Sequence, residues 1–109
     1  MGRARDRASA DLNGQEFILD ADADTSISAD TDDQIDIKIA GADDFQFTAN
    51  TFTVKSGSTI VVDDTTDSTS TTTGSIQTDG GVGIAKDLVV GDDILLKSDD
   101  AAIQFGAYG

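Results

Sequence analysis

The run DADADTSISAD (20–30) contains the residues best suited to metal chemistry, because it spaces three aspartates two residues apart. Carboxylate oxygens are the ligands that calcium prefers, and Asp20, Asp22 and Asp24 match the first three ligand positions of an EF-hand loop. The match fails where the loop needs glycine, which is Thr25 here, and the twelfth position lacks the bidentate acid. A strand explains the spacing better, since side chains at i, i+2 and i+4 line one face of a strand. We therefore predict no metal site and no cofactor.

The run DGGVGIAKDL (79–88) is the second candidate, because its glycines match two ligand-binding patterns in part. Gly80, Gly81 and Gly83 fit the GGxGxD core of a calcium-binding β-roll repeat, but Ala85 stands where the aspartate must coordinate. The sequence has one copy, whereas a β-roll stacks several. No Lys-Ser/Thr pair follows the glycines as a phosphate-binding P-loop requires. We predict a tight turn here.

Catalytic residues are the third possibility, and the composition speaks against them. The sequence has no histidine and no cysteine, which excludes a disulfide framework, a zinc site and the commonest nucleophiles and bases. Serine and threonine are abundant, but no activating partner stands out for any of them. The acid pairs 32/33, 43/44 and 92/93 are expected to lie on turns and to be solvated, whereas acid–base catalysis usually needs burial. We predict that the protein is not an enzyme.

Charge narrows the range of partners. The 109 residues include 21 acidic and 7 basic ones, for a formal net charge of -14. Such a surface repels phosphates and anionic lipids, so we expect neither nucleic acid nor membrane as a partner. The longest apolar runs are far shorter than a transmembrane helix. The length allows one small domain at most.

The preference for aspartate over glutamate indicates the type of secondary structure. Aspartate accounts for 20 of the 21 acidic residues, and Glu16 is the single glutamate. Glutamate is a good helix former, whereas aspartate competes for its own backbone and prefers turns and caps. The sequence also has 13 threonines, a residue type that fits strands. These choices favour an all-β chain.

Hydrophobic residues alternate with polar ones along most of the chain, which is the pattern of a half-buried strand. Small or apolar side chains occupy the odd positions from 17 to 29. Apolar ones occupy 35, 37 and 39 and, past a turn at Gly41, 45 and 47, and the phase changes at Asn50. We predict eight or more short strands. The later apolar positions are Phe52, Val54, Ile60, Val62, Ile76, Val82, Ile84, Leu88, Val90, Ile94, Leu96, Ile103 and Phe105. Turn-forming pairs between strands are Asn13–Gly14, Ser56–Gly57, Asp79–Gly80 and Gly91–Asp92.

A polar segment divides the chain. Residues 63–74, DDTTDSTSTTTG, include no apolar side chain and are predicted to form a linker or exposed loop. We therefore expect a first β segment at 15–62 and a second at 75–109. Residues 1–14 form an N-terminal arm with three arginines, which could attach the protein to an acidic surface.

The predicted strands are too short, and their inward residues too few and small, to enclose a good core in one chain. Several copies winding about one axis would share their apolar residues and pair the strand edges. The negative charge would keep such an assembly soluble. We predict a fibrous homotrimer, with a dimer as the alternative.

The run TDSTSTTTGSIQTDGGVGIAKDLVVGDDI (66–94) resembles a motif that recurs in tail-fibre and other virion fibre proteins of bacteriophages. The upstream run 20–60 is also similar to a segment of such fibres, and together the two cover about two thirds of the chain. The positions that match the motif are Gly74, Ile76, Gly80, Gly81, Val82, Gly83, Ile84, Lys86, Leu88, Val90 and Gly91.

This resemblance implies an elongated, intertwined homotrimeric β-prism or β-helix-like fibre shaft, located in the virion and without catalytic activity. It also implies contacts with other virion proteins, for which the arm with Arg3, Arg5 and Arg7 is the candidate. Such fibres often end in a receptor-binding tip, which FGAYG (105–109) does not resemble, so we expect a shaft or connector. The alternative function is an aspartate-rich, calcium-stabilised module of a secreted bacterial adhesin or surface filament.

Overall fold

The computed structural model describes residues 11–106, and most of the predicted N-terminal arm lies outside this range. Residues 11–106 contain strands and no helix, which confirms the all-β prediction, and no segment within them could cross a membrane as a helix. Five strands form one sheet. They are β1 (Phe17–Ile18), β2 (Ser26–Ser28), β3 (Ile35–Ile39), β4 (Ala42–Thr48) and β5 (Thr51–Val54).

The sheet is an antiparallel meander, in which each strand pairs with the next one along the chain in the order β1-β2-β3-β4-β5. The tightest connection is the two-residue turn between β3 and β4. Ala40 and Gly41 both have positive φ, 53° and 86°, which is the backbone of the type I′ hairpin turn. Glycine adopts this conformation without steric cost, so the predicted turn at Gly41 is confirmed.

Two other predicted turns are also present. Asn13 and Gly14 have positive φ, and the Gln15 N–H donates to the Leu12 carbonyl at 2.9 Å. The Ser58 N–H donates to the Lys55 carbonyl at 3.0 Å across the second turn, Ser56–Gly57.

A β-bulge in β4 sets the faces of the sheet. Lys38 pairs with Asp43, but Ile37 pairs with Phe45, so Asp44 is the extra residue. Without it, Ile37 would face Asp44, and every residue beyond it would point to the opposite face. The bulge therefore keeps the phenylalanines of β4 on the same face as the isoleucines of β3.

The strand predicted through DADAD is wrong. Residues 19–25 form the loop between β1 and β2, so Asp20, Asp22 and Asp24 do not line a strand face. The Asp20 carboxylate accepts a hydrogen bond from the Thr25 N–H at 3.2 Å, and Ala23 has a φ of 64°. Aspartate side chains that bond nearby backbone favour such loops over a ladder. Alternation of aspartate and alanine therefore matched a strand by spacing alone.

The described chain after Val54 contains no strand, whereas the alternation predicted several there. The backbone bends at Asp79–Gly80 and Gly91–Asp92, and the apolar pairs between the bends belong to no ladder. A strand requires a hydrogen-bonded neighbour, and within one chain these segments have none among the residues described.

The chain divides into two compact units between Asp63 and Asp64. The second unit begins with the polar segment, where hydroxyl groups bond the backbone. The Thr73 Oγ1 accepts hydrogen bonds from the N–H groups of Thr69 and Ser70, at 2.7 and 3.0 Å. The Lys97 Nζ donates to the Thr69 carbonyl at 3.2 Å, which ties this turn to a later part of the same unit.

Candidate functional site

The three aspartates of the β1–β2 loop lie close together. Carboxylate oxygens of Asp20, Asp22 and Asp24 are all within 4.8 Å of one another. Partial desolvation and the neighbouring Asp20 carboxylate raise the pKa of Asp24 above its usual range. The pKa of Asp20 is lowered, because hydrogen bonds from Thr25 outweigh the larger single effect of desolvation. The loop thus concentrates negative charge at the three aspartates that match the first ligand positions of an EF-hand loop.

An ion pair lies on the polar face of the sheet, which we define as the face of Ser26, Ser28, Asp36, Lys38 and Gln46. The Lys38 Nζ is 2.7 Å from the Glu16 carboxylate, which also accepts a hydrogen bond from the Ser26 hydroxyl at 2.6 Å. The bond to Lys38, followed by that from Ser26, lowers the pKa of Glu16. The bond to Glu16 in turn raises the pKa of Lys38.

The same face buries a carboxylate. Asp36 is 6 % exposed, and its oxygens accept hydrogen bonds from the side-chain amide of Gln34, at 3.1 Å, and of Gln46, at 3.3 Å. Among the described residues, no buried side-chain nitrogen or oxygen lacks a partner. Both this network and the Glu16–Lys38 pair were missed from the sequence, because they depend on the strand register. The even positions of β3 were the feature that could have indicated them.

The opposite, apolar face of the sheet is uncovered. The register puts Phe17, Ile27, Ile37, Phe45 and Val54 in one cross-strand row, and Ile35, Phe47 and Phe52 in a second row. These two rows define the apolar face, which has no charged residue. The Phe52 ring stacks on Phe47 at 4.8 Å and on Phe45 at 6.2 Å between ring centroids. Yet Phe47 is 41 % exposed and Phe52 is 53 % exposed.

A groove extends this face at the β1 edge. It has a volume of about 440 Å³. Its lining includes the apolar Leu12, Phe17, Ile27 and Ile35 and the polar Asp11, Asn13, Gln15 and Ser28.

Burial in the sheet is the reverse of that in a folded monomer. Among the described residues no hydrophobic side chain is buried, and the two buried residues, Ser26 and Asp36, belong to the polar face. Soluble monomers rarely expose contiguous apolar patches above a few hundred Å². A phenylalanine side chain accounts for roughly 200 Å², so the half-exposed Phe17, Phe47 and Phe52 alone present roughly 300 Å². No second layer of side chains from the described residues covers the apolar face.

The second unit exposes its apolar residues even more. Every large apolar side chain between Ile76 and Phe105 is at least 42 % exposed. Its described backbone contains one backbone–backbone hydrogen bond, from the Ala101 N–H to the Ser98 carbonyl at 3.1 Å. The GGVGI run of 80–84 lies here, and a side chain at Gly80, Gly81 or Gly83 would meet no atom within 4 Å. These glycines enclose no ligand cavity in one chain.

Comparison with known proteins adds no identification: no protein family, curated protein or solved structure matches this chain.

Proposed function

We propose that the protein is a structural, non-catalytic component of a bacteriophage particle, which forms a homotrimeric β-fibre shaft or connector in a tail fibre or related appendage. The observation that carries this proposal is that no hydrophobic side chain among the described residues is buried, although 38 % of the sequence is hydrophobic. Such a chain gains a core by sharing its apolar residues with other chains.

Two features favour an extended assembly over a compact one. The apolar positions after residue 75 recur in short pairs separated by bends, so each pair can contribute one layer to a long, thin core. The described backbone there offers unpaired donors and acceptors, which strands of neighbouring chains would satisfy. Three-fold symmetry and the phage particle are inferred from the resemblance of 66–94 to virion fibre motifs.

The charge is consistent with this role. A net charge of -14 per chain keeps a long assembly soluble and opposes side-by-side bundling. Arg3, Arg5 and Arg7 lie outside the described residues and are proposed to bind an acidic surface of another virion protein. Replacing all three by glutamine should abolish that attachment and leave the fibre itself unchanged.

The native mass tests the proposal most directly. Analytical ultracentrifugation and native mass spectrometry of the purified protein should give three chains, with a frictional ratio well above that of a globular protein. Negative-stain images should show rods of uniform width. A compact single chain in sedimentation would overturn the proposal. Rods made of two chains would remove the three-fold symmetry and retain the shaft.

The second candidate is the calcium-stabilised module of an adhesin or surface filament, and it is favoured by the approach of Asp20, Asp22 and Asp24 to within 4.8 Å. Calcium bound at this loop would remove the repulsion between the carboxylates. Calorimetric titration with calcium, repeated on Asp22→Asn, tests it. Heat and a rise in Tm that the variant lacks would support this candidate, and their absence from the native protein would exclude it.

A further inference from the structure

The apolar face of the sheet and the exposed apolar residues of the second unit differ in which groups are left without a partner. Of the two, the apolar face defines the more specific contact. Its backbone is already paired in a ladder, so what it lacks is a layer of side chains and not a strand. We propose that this face packs against the same face of the other copies of the chain, with Phe45, Phe47 and Phe52 at the contact. The inference rests on the proposed function, because it names the surface through which the first unit of each chain joins the shaft.

Charge limits the surface through which two copies of the chain can meet. Each chain carries -14, so two copies repel each other unless they meet through uncharged surface. The apolar face has no charged residue, while Glu16, Asp36 and Lys38 lie on the polar face. Packing through the apolar face therefore buries no charge and leaves the acidic residues in solvent.

Area shows what this contact can and cannot do. A stable interface usually buries about 800 Å² per partner, which is more than the roughly 300 Å² that the three half-exposed phenylalanines present. These three side chains alone are too few to hold the copies together. The other apolar side chains of the face and those of the second unit, each at least 42 % exposed between Ile76 and Phe105, are available to supply the remainder.

The absence of cysteine allows a test with single introduced thiols. Phe47 and Thr48 are neighbours in β4 and point to opposite faces, so Phe47→Cys and Thr48→Cys form a matched pair. Each purified variant is sedimented and then treated with a short bismaleimide cross-linker. The inference predicts that both variants remain trimers, that most Phe47→Cys chains become linked to another copy, and that Thr48→Cys chains stay single on a denaturing gel.

A second pair covers the possibility that Phe47→Cys does not assemble. Ile27→Cys lies on the apolar face in β2, and Ser28→Cys is its neighbour on the polar face. Trimers whose apolar-face thiols stay unlinked in both pairs, or whose polar-face thiols link instead, would overturn the inference and leave the shaft in place. A monomeric native protein would overturn the shaft as well.

Discussion

The two units of this chain differ in which groups, backbone or apolar side chains, have no partner among the described residues. In the first unit the backbone is satisfied by a five-stranded ladder, and only the apolar face of the sheet is open. In the second unit, the described residues form no strand, and both backbone and apolar side chains are open. In the proposed shaft, the first unit would form its secondary structure before assembly, whereas the second would form strands only together with other chains. The four predictions below test this difference.

The largest effect on the stability of the proposed assembly is expected when a charged residue replaces an apolar residue of the second unit. Leu88 belongs to the alternating set, while its neighbour Val89 is 89 % exposed and lies outside the set. Leu88→Asp should cost the assembly at least about 3 kcal/mol per chain, because it buries a charge in the shared core. Val89→Asp should cost less than about 0.5 kcal/mol. Sedimentation across a concentration series measures both, and equal effects would contradict a shared core at Leu88.

A smaller effect is expected at the aromatic cluster of the sheet. Phe52 stacks on two other rings but remains 53 % exposed in one chain. Truncating a fully buried phenylalanine costs about 3–5 kcal/mol, so Phe52→Ala should approach this value in the assembly and fall well below it in a dissociated chain. Thr51→Ala, on the other face, is the control. Denaturant unfolding at high and low protein concentration measures the difference. The same loss at both concentrations would mean that the apolar face stays open.

The features of the sheet that could be predicted are those that depend on residues close together in the sequence. Alternation at Ile35, Ile37, Phe45 and Phe47 indicated the apolar face, and positive φ at Gly41 followed from glycine between two strands. The β-bulge was not predictable, because nothing in the residue types marks Asp44 as the extra residue.

The polar face and the acidic loop were not predictable either. Burial of Asp36 depends on Gln46, which is brought opposite by cross-strand pairing and not by distance along the chain. The loop at Asp20–Asp24 was missed because an Asp-Ala alternation has the period of a strand and the chemistry of a turn. Residue spacing is sufficient to predict the structure where the packing of apolar side chains determines it. It is insufficient where polar side chains form hydrogen bonds with the backbone.

Removal of the buried Asp36 carboxylate on the polar face should destabilise the first unit alone. Asp36→Ala leaves the amides of Gln34 and Gln46 without their acceptor, which costs about 1–3 kcal/mol at a buried position. The exposed Asp43→Ala is the matched control. Hydrogen exchange by mass spectrometry should show faster exchange in 26–54 and unchanged exchange in 76–105. Faster exchange throughout would show that the two units unfold together.

The smallest effect is expected from the Glu16–Lys38 pair, because exposed ion pairs contribute little. The folded-state pKa of Glu16 is lowered by Lys38 and then by Ser26, so its contribution to stability is present above the ordinary glutamate pKa of about 4.3. It is lost as pH falls through the lowered pKa. Glu16→Gln keeps an acceptor for the Ser26 hydroxyl and removes the charge.

The Tm is measured for the native protein and for Glu16→Gln from pH 7 down to about pH 3. The difference between the two isolates this pair, because the other acids titrate in both proteins. The native protein should be the more stable at pH 7, and the difference should shrink toward the acidic end. A difference that stays constant with pH would mean that Glu16 acts by packing alone. The difference should also persist when the assembly is diluted into single chains, because Glu16, Ser26 and Lys38 all belong to one sheet that forms within one chain.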